Sequence, residues 1–289
     1  IPGDNEWTDC HRNNNGFYNP QERLGYLRSV FYPSNLSLGQ KSIALTRQAG
    51  YPENVTWRYG NIVFVGLNQP GSNNNHQRNL SGSSLYPMPR DDNETEYASR
   101  NAANISWINS AFDAAASDPN TKAVVIMQQA NVFERFLEPN QGYTESGYAA
   151  FVTTLRNRTV AFGKPVVLVG GDTHTIRIDK PLTTVTVTPT SGSPYLSGYP
   201  GHLTGGAIAT PTTLINTVSG ALCTPAGPTC VAPARVQNFI RVEVFGSPDV
   251  AWVRAVVDPF DPNVFSFATQ TIPGTGHGRD GRTDDDDLQ

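Results

Sequence analysis

Pro165-Val166-Val167-Leu168-Val169-Gly170-Gly171-Asp172-Thr173-His174 is a short apolar run that stops at two glycines and presents an acid and an imidazole two residues apart. A Val-rich run of this length, bounded by Gly, predicts a strand covered on both faces, and the glycine pair lets the backbone turn sharply beside a ligand. Such a strand carries metal or phosphate chemistry to the edge of a sheet. The fold therefore depends on what stands on either side of it.

Upstream, residues 123–127 form a second apolar run that stops at Gln128-Gln129-Ala130-Asn131, and residues 62–67 form a third that stops at Asn68-Gln69-Pro70-Gly71-Ser72-Asn73-Asn74-Asn75-His76. Between them, residues 95–116 place Ala103, Trp107, Ala111 and Ala115 one helical turn apart, and residues 144–160 place Tyr148, Phe151, Val152 and Leu155 on one face. Strand and helix alternate, which predicts βαβ units and a largely parallel sheet flanked by helices. In such a sheet the loops after the strands share one edge, and that edge carries function. A further helix over residues 20–31 opens on a Pro suited to a first turn, with Leu24, Leu27, Val30 and Phe31 expected to face the core.

The C-terminal part has another texture. From residue 183 Thr and Val alternate, and the stretch to about residue 236 is rich in Gly, Pro, Ser and Thr, which predicts an inserted β arm or lid over 184–236. Residues 239–245, 250–257 and 264–269 read as three strands of a closing antiparallel sheet. In the first, Ile240, Val242 and Val244 are expected inward and Arg241 and Glu243 outward, with Gly246-Ser247-Pro248-Asp249 as a hairpin turn. Residues 274–289, with their run of four Asp, read as a flexible acidic tail.

The chain has 289 residues, 38% apolar and 16% charged, with a formal net charge of -4. That balance predicts one large globular domain and offers no basic face for nucleic acid. No apolar run approaches the ~20 residues of a membrane span, so neither nucleic acid nor a membrane is expected as a partner. Cys223 and Cys230 flank a tight Thr-Pro-Ala-Gly-Pro-Thr loop, a place for a local disulfide, with Cys10 left over. Acceptor sequons at Asn35, Asn54, Asn79, Asn93, Asn104 and Asn157, with the few charges and that staple, lean toward a secreted, extracellular glycoprotein. Asp4, Asn5, Glu6, Asp9 and His11 crowd into the first residues around Trp7 and Cys10. Ile1-Pro2-Gly3-Asp4 reads as the end of a strand already under way, so the first strands of the sheet are expected upstream of this sequence.

Three of these stretches, Pro2 to Cys10 (Pro-Gly-Asp-Asn-Glu-Trp-Thr-Asp-Cys), Val124 to Asn131 and Gly171-Asp172-Thr173-His174, together resemble the calcineurin-like metallophosphoesterases, in particular their bacterial and secreted members. The likeness covers most of the chain outside about residues 184–236. It implies a two-sheet α/β sandwich flanked by helices, and a divalent metal pair (Fe, Zn or Mn) that activates water for attack on a phosphate ester. Gly3-Asp4-Asn5-Glu6 stands where that family has Gly-Asn-His-Glu, so the resemblance implies Asp4 as a metal ligand and puts Asn5 and Glu6 at the catalytic positions. Asn5 replaces a histidine that protonates the leaving group, and an amide cannot serve as that acid. Gln128 or Gln129 stands where a histidine ligand belongs; Gln128 is taken as the metal position. Asp172 replaces the first histidine of Gly-His-x-His, and His174 keeps the second.

The family's Asp-x-His and Gly-Asp motifs, which precede these stretches, do not occur in this sequence. Two functions follow as expectations. One is phosphate-ester hydrolysis at a two-metal centre completed by the missing N-terminal portion. The other is a catalytically silent phosphoesterase fold serving as an extracellular structural or self-assembling protein, its copies joined through an open strand edge and the 184–236 arm.

Overall fold

The computed structural model describes residues 1–76, 90–133, 146–184 and 234–271, together with five two-residue strands between 189 and 231. The inserted arm over 184–236 lies largely outside the described residues, as does the acidic tail. Cys223 and Cys230 belong to two of the short strands, whose antiparallel register sets the two residues opposite one another; their sulfur atoms lie outside the described residues.

The body is mixed α/β. Its main sheet has seven strands: β1 (Thr46–Gln48), β2 (Tyr51–Tyr59), β3 (Ile62–Gly66), β4 (Ala123–Met127), β5 (Val166–Gly170), β6 (Arg177–Asp179) and β7 (Phe239–Glu243). Their spatial order is β1-β2-β3-β4-β5-β7-β6. β3, β4, β5 and β7 run parallel, whereas β1 and β2 at one edge and β6 at the other are antiparallel to their neighbours. Three helices, α1 (Pro20–Phe31), α2 (Arg90–Ser117) and α3 (Ala149–Phe162), accompany it. A small second sheet is the hairpin of β8 (Ala251–Val257) and β9 (Phe265–Thr271). No described helix is long and apolar enough to cross a membrane.

Strand periodicity sorts the core into two layers. Val63, Val65, Val124, Ile126, Val166, Leu168 and Phe239 pack against Ile108, Phe112, Phe151 and Leu155 of α2 and α3. Ile62, Ala123, Val125, Val167 and Val242, from the other face, pack with Val264, Phe265, Val253 and Phe267 of the hairpin region. Both faces of the parallel strands are thus covered, which explains their unbroken apolar runs.

Two expectations about the C-terminal strands are corrected. β7 does not form a hairpin with β8. It inserts into the main sheet parallel to β5, while β8 pairs with β9. Arg241 and Glu243 are not outward either: they are 5% and 1% exposed. A central strand has no solvent face, and the charges are tolerated because they are matched inside. Arg241 forks onto Asp179 at 2.8 and 2.6 Å. Glu243 accepts from Arg177 at 2.7 Å, from Asn131 at 3.1 Å and from the Thr173 hydroxyl.

α1 begins where expected, with Asn19 capping the Gln21 and Glu22 amides. It buries only Pro20 and Leu24, however, leaving Val30 and Phe31 exposed, so it is a surface helix rather than a core helix. Ile1–Gly3 joins no strand. The two edges of the main sheet are β1 and β6, three residues each.

Candidate functional site

The loops that leave β3, β4 and β5 are stitched together at one edge of the sheet. Ala130 N–H donates to the Gln69 carbonyl at 3.0 Å, and Gly171 N–H donates to the Gln129 carbonyl at 2.8 Å. The N-terminal segment closes over this edge. Trp7 is fully buried, and Trp7 and Asp9 amides both return to the Asp4 carbonyl, at 3.0 and 2.9 Å, which turns the Asp4 side chain onto the strand ends.

Asp4 and Asp172 meet over Gly71. A methyl group placed on Gly71 would come closer than 3.0 Å to carboxylate oxygens of both residues, so only glycine leaves room for the pair. Gln129 ties them: its Nε2 donates to Asp4 Oδ1 at 3.0 Å and to Asp172 Oδ1 at 2.9 Å, while its carbonyl accepts from Gly71 N–H. Burial pushes the Asp4 carboxyl above the ordinary aspartate range and the nearby Asp9 adds to this. The Asn5 amide, a hydrogen bond shared with Asp172 and the Arg12 charge pull it back.

Asn73, Asn74 and Asn75, with Ser72 before them, all have positive φ between 52° and 62°. A left-handed turn of non-glycine residues costs roughly 1–2 kcal/mol per residue, and Asn bears it best among side chains that carry a Cβ. The surroundings hold it in place. Asn74 N–H donates to the Tyr148 hydroxyl at 3.0 Å, and that hydroxyl donates to the Pro70 carbonyl at 2.8 Å. The side chain of Arg100, wholly buried, donates to the Asn74 carbonyl at 2.9 Å and the Asn68 carbonyl at 3.2 Å. Gly147 N–H donates to Asn73 Oδ1 at 2.7 Å, and a Cβ on Gly147 would run into the Asn73 carbonyl. The turn fixes Gly71 beneath the two acids, an example of local strain maintained at a chemically distinctive place.

The remaining residues singled out from the sequence are dispersed. Gln128, the expected ligand, points away: its Nε2 donates to the Ala130 carbonyl at 3.1 Å, and Gln129 takes the place at the carboxylates. Glu6 accepts from Gly3 N–H at 2.8 Å and braces its own loop. Asn5 is exposed and contributes its backbone, its carbonyl accepting from Asn15 Nδ2 at 2.9 Å. His174 follows Asp172 with φ of 55°, and its ring packs on Gly246 in the loop after β7, where a Cβ would collide with it. Cys10 is buried and unbonded to another cysteine, and burial raises its thiol.

The sequons are reassessed in the same way. Asn35 and Asn157 are exposed. Asn54, Asn93 and Asn104 are buried, and the Asn54 amide nitrogen is spent on Gln48 at 2.8 Å and Asn104 at 2.7 Å, so those positions have no room for a glycan. Asn79 lies outside the described residues.

Two carboxylates on adjacent loops suit one hard divalent ion that keeps much of its own water. Among the described residues no group of three or more His, Cys, Asp or Glu side chains is arranged to hold a metal ion. No protein-family model, curated protein or solved structure matches the chain.

Proposed function

We propose that this chain is a metallophosphoesterase-like protein whose strand-end edge handles a phosphate ester, with Asp4 and Asp172 as its cation-binding acids. The observation that supports this reading is the meeting of those two carboxylates over Gly71, although 168 positions separate them in the chain (172 - 4). Two buried like charges are costly unless a cation or a shared proton offsets them. A divalent ion bound there would supply Lewis-acid polarisation of a phosphoryl oxygen.

The chain's own contributions can be assigned residue by residue. Gln129 holds both carboxylates in one orientation, the left-handed turn sets the floor, and Trp7 shields the Asp4 loop from water. Asp4 and Asp172 would hold the ion. Neither Asn5 nor Glu6 presents an acid to a leaving group, so this reading assigns protonation to solvent.

One observation favours a second reading, a phosphoesterase-like fold without catalysis that serves in an extracellular assembly. Gln129 satisfies the two carboxylates from within the protein, so the pair is held without an ion. Metal analysis of the purified protein together with turnover of bis(4-nitrophenyl) phosphate separates the two. Bound Mn2+ near one per chain with chelator-sensitive hydrolysis supports the first reading. Binding that Asp172→Asn leaves intact, or no hydrolysis with any of Mg2+, Mn2+, Zn2+ or Fe2+, rejects it.

A further inference from the structure

Beside the carboxylate pair stands a cation that the sequence reading passed over. Arg12 lies one residue beyond the helical turn Thr8–His11, its backbone pinned by its own N–H to the Asp9 carbonyl at 2.9 Å and by the Phe17 amide to its carbonyl at 3.0 Å. Its Nη2 lies 2.8 Å from Asp9 Oδ2 and 3.4 Å from the Ser72 hydroxyl. Ser72 in turn donates to Asp9 Oδ1 at 2.7 Å. Asp9 is 1% exposed and Arg12 is 25% exposed, so a buried acid anchors a guanidinium that still reaches solvent.

Both anchor points bind Arg12 to the site. Asp9 N–H donates to the Asp4 carbonyl at 2.9 Å, and Ser72 follows Gly71 directly in the chain. Nη2 makes both contacts, which leaves Nε and Nη1 without a protein partner among the described residues. A guanidinium with donors to spare, held still by a buried carboxylate, is the arrangement that recognises phosphate oxygens.

The other arginines near this edge are committed. Arg100 is wholly buried on Glu96 and the Asn68–Asn74 backbone. Arg177 is spent on Glu243, and Arg241 on Asp179. An incoming anion therefore meets one guanidinium among three carboxylates, Asp4, Asp9 and Asp172. That balance tolerates a single negative charge far better than two.

We propose that Arg12 is the anion-recognition residue of this edge and that it selects singly charged phosphodiesters over doubly charged phosphomonoesters. The proposal rests on the phosphoesterase reading for its ligand class, and its test is independent of turnover. Diphenyl phosphate and phenyl phosphate are titrated calorimetrically into the whole chain in Mn2+ buffer, for the wild type, Arg12→Gln and the double variant Asp9→Asn/Arg12→Gln. The double variant removes both partners, so no buried acid is left alone if the single variant fails to fold.

The expected result is tighter binding of diphenyl phosphate than of phenyl phosphate by the wild type. Both variants should lose about 10-fold or more of the diester affinity, the weight of one charge-assisted contact, with Mn2+ affinity changed less than about twofold. Equal diester binding in the variants, a preference for phenyl phosphate, or no binding of either ester by the wild type overturns the proposal. Hydrolysis of bis(4-nitrophenyl) phosphate then tells the two ideas apart. Arg12-dependent binding without turnover removes the hydrolase reading and leaves Arg12 in place; turnover indifferent to Arg12→Gln does the reverse.

Discussion

Asp172 and Thr173 are neighbours in one loop, yet they face two differently balanced surroundings. On the Thr173 side, Glu243 is buried but meets Arg177 and Arg241, and Arg241 also meets Asp179. Charges there are matched in number and bridged by Asn131. On the Asp172 side, two carboxylates share one neutral amide and a third acid is occupied with Arg12. The first cluster offsets part of its desolvation internally. In the second, two acids from distant parts of the chain meet over Gly71 with a neutral amide between them, which makes it the candidate site and the first cluster a brace.

Four substitutions or conditions can break or sharpen that contrast. The largest effect belongs to the brace: Glu243→Ala removes the acid shared by the half-buried Arg177 and the buried Arg241 and should cost about 3 kcal/mol of stability, read from urea denaturation midpoints at constant m. A loss below ~1 kcal/mol, the value of an exposed pair, would show that the cluster is not a brace. Next is Gly71→Ala, which forces a methyl group between the two acids. It should cost about 1–3 kcal/mol and abolish Mn2+-induced stabilisation in thermal melting, so unimpaired Mn2+ binding would place the cation elsewhere.

Asp172→Asn should act in the opposite direction in metal-free protein. Relieving the like-charge contact should raise stability by on the order of 1 kcal/mol, about one pKa unit of interaction, while erasing the response to Mn2+. A destabilised variant would put the Asp172 side on the same footing as the brace.

The smallest effect is the pH dependence of the brace itself. Burial raises the Glu243 carboxyl above its ordinary range, against the pull of Thr173, Arg177 and Arg241. A group raised in the folded state binds its proton more tightly there than in the unfolded chain. Its contribution is therefore full below the unfolded pKa and declines as pH climbs through the unfolded value to the folded one. Glu243→Gln should flatten the stability profile just above the usual glutamate range. An unchanged slope in urea melts across that window would contradict the direction.

The apolar parallel strands were legible because each is covered on both faces and written as an unbroken hydrophobic run. β4 has the expected bounds, and the three strand-end loops meet at one edge. β2 was not foreseen: it buries Glu53 and Asn54 beside Val55, Glu53 being forked onto Arg28 at 2.9 and 2.6 Å, so two of its three buried positions are polar and no alternation appears. β7 misled for the same reason, since Arg241 and Glu243 read as a solvent face until their partners are placed.

In the site, Asp4 and Asp172 were legible as ligand types next to glycines. Gln129 was not separable from Gln128, because which of two adjacent amides faces a loop is decided by the twist at a strand's end. The Asn73-Asn74-Asn75 run was the overlooked signal. Consecutive Asn after a Gly-Ser is a sequence suited to left-handed backbone, and it marked the floor of the site.

That left-handed turn also bears on the order in which the molecule assembles. Its Asn residues tolerate this backbone without favouring it, and its supports come from Asp9, Arg100, Gly147 and Tyr148, which are distant in the chain. Loop-closure entropy must be overcome several times before any of these contacts rewards the turn. The helices, whose hydrogen bonds are local, have no such requirement. Recovery of Mn2+ binding during refolding should consequently lag the far-ultraviolet helix signal, and simultaneous recovery would deny the lag. A chain that has collapsed without finishing its fold is in this way kept from gathering the two acids, so competence for ligand is reached only by the completed molecule.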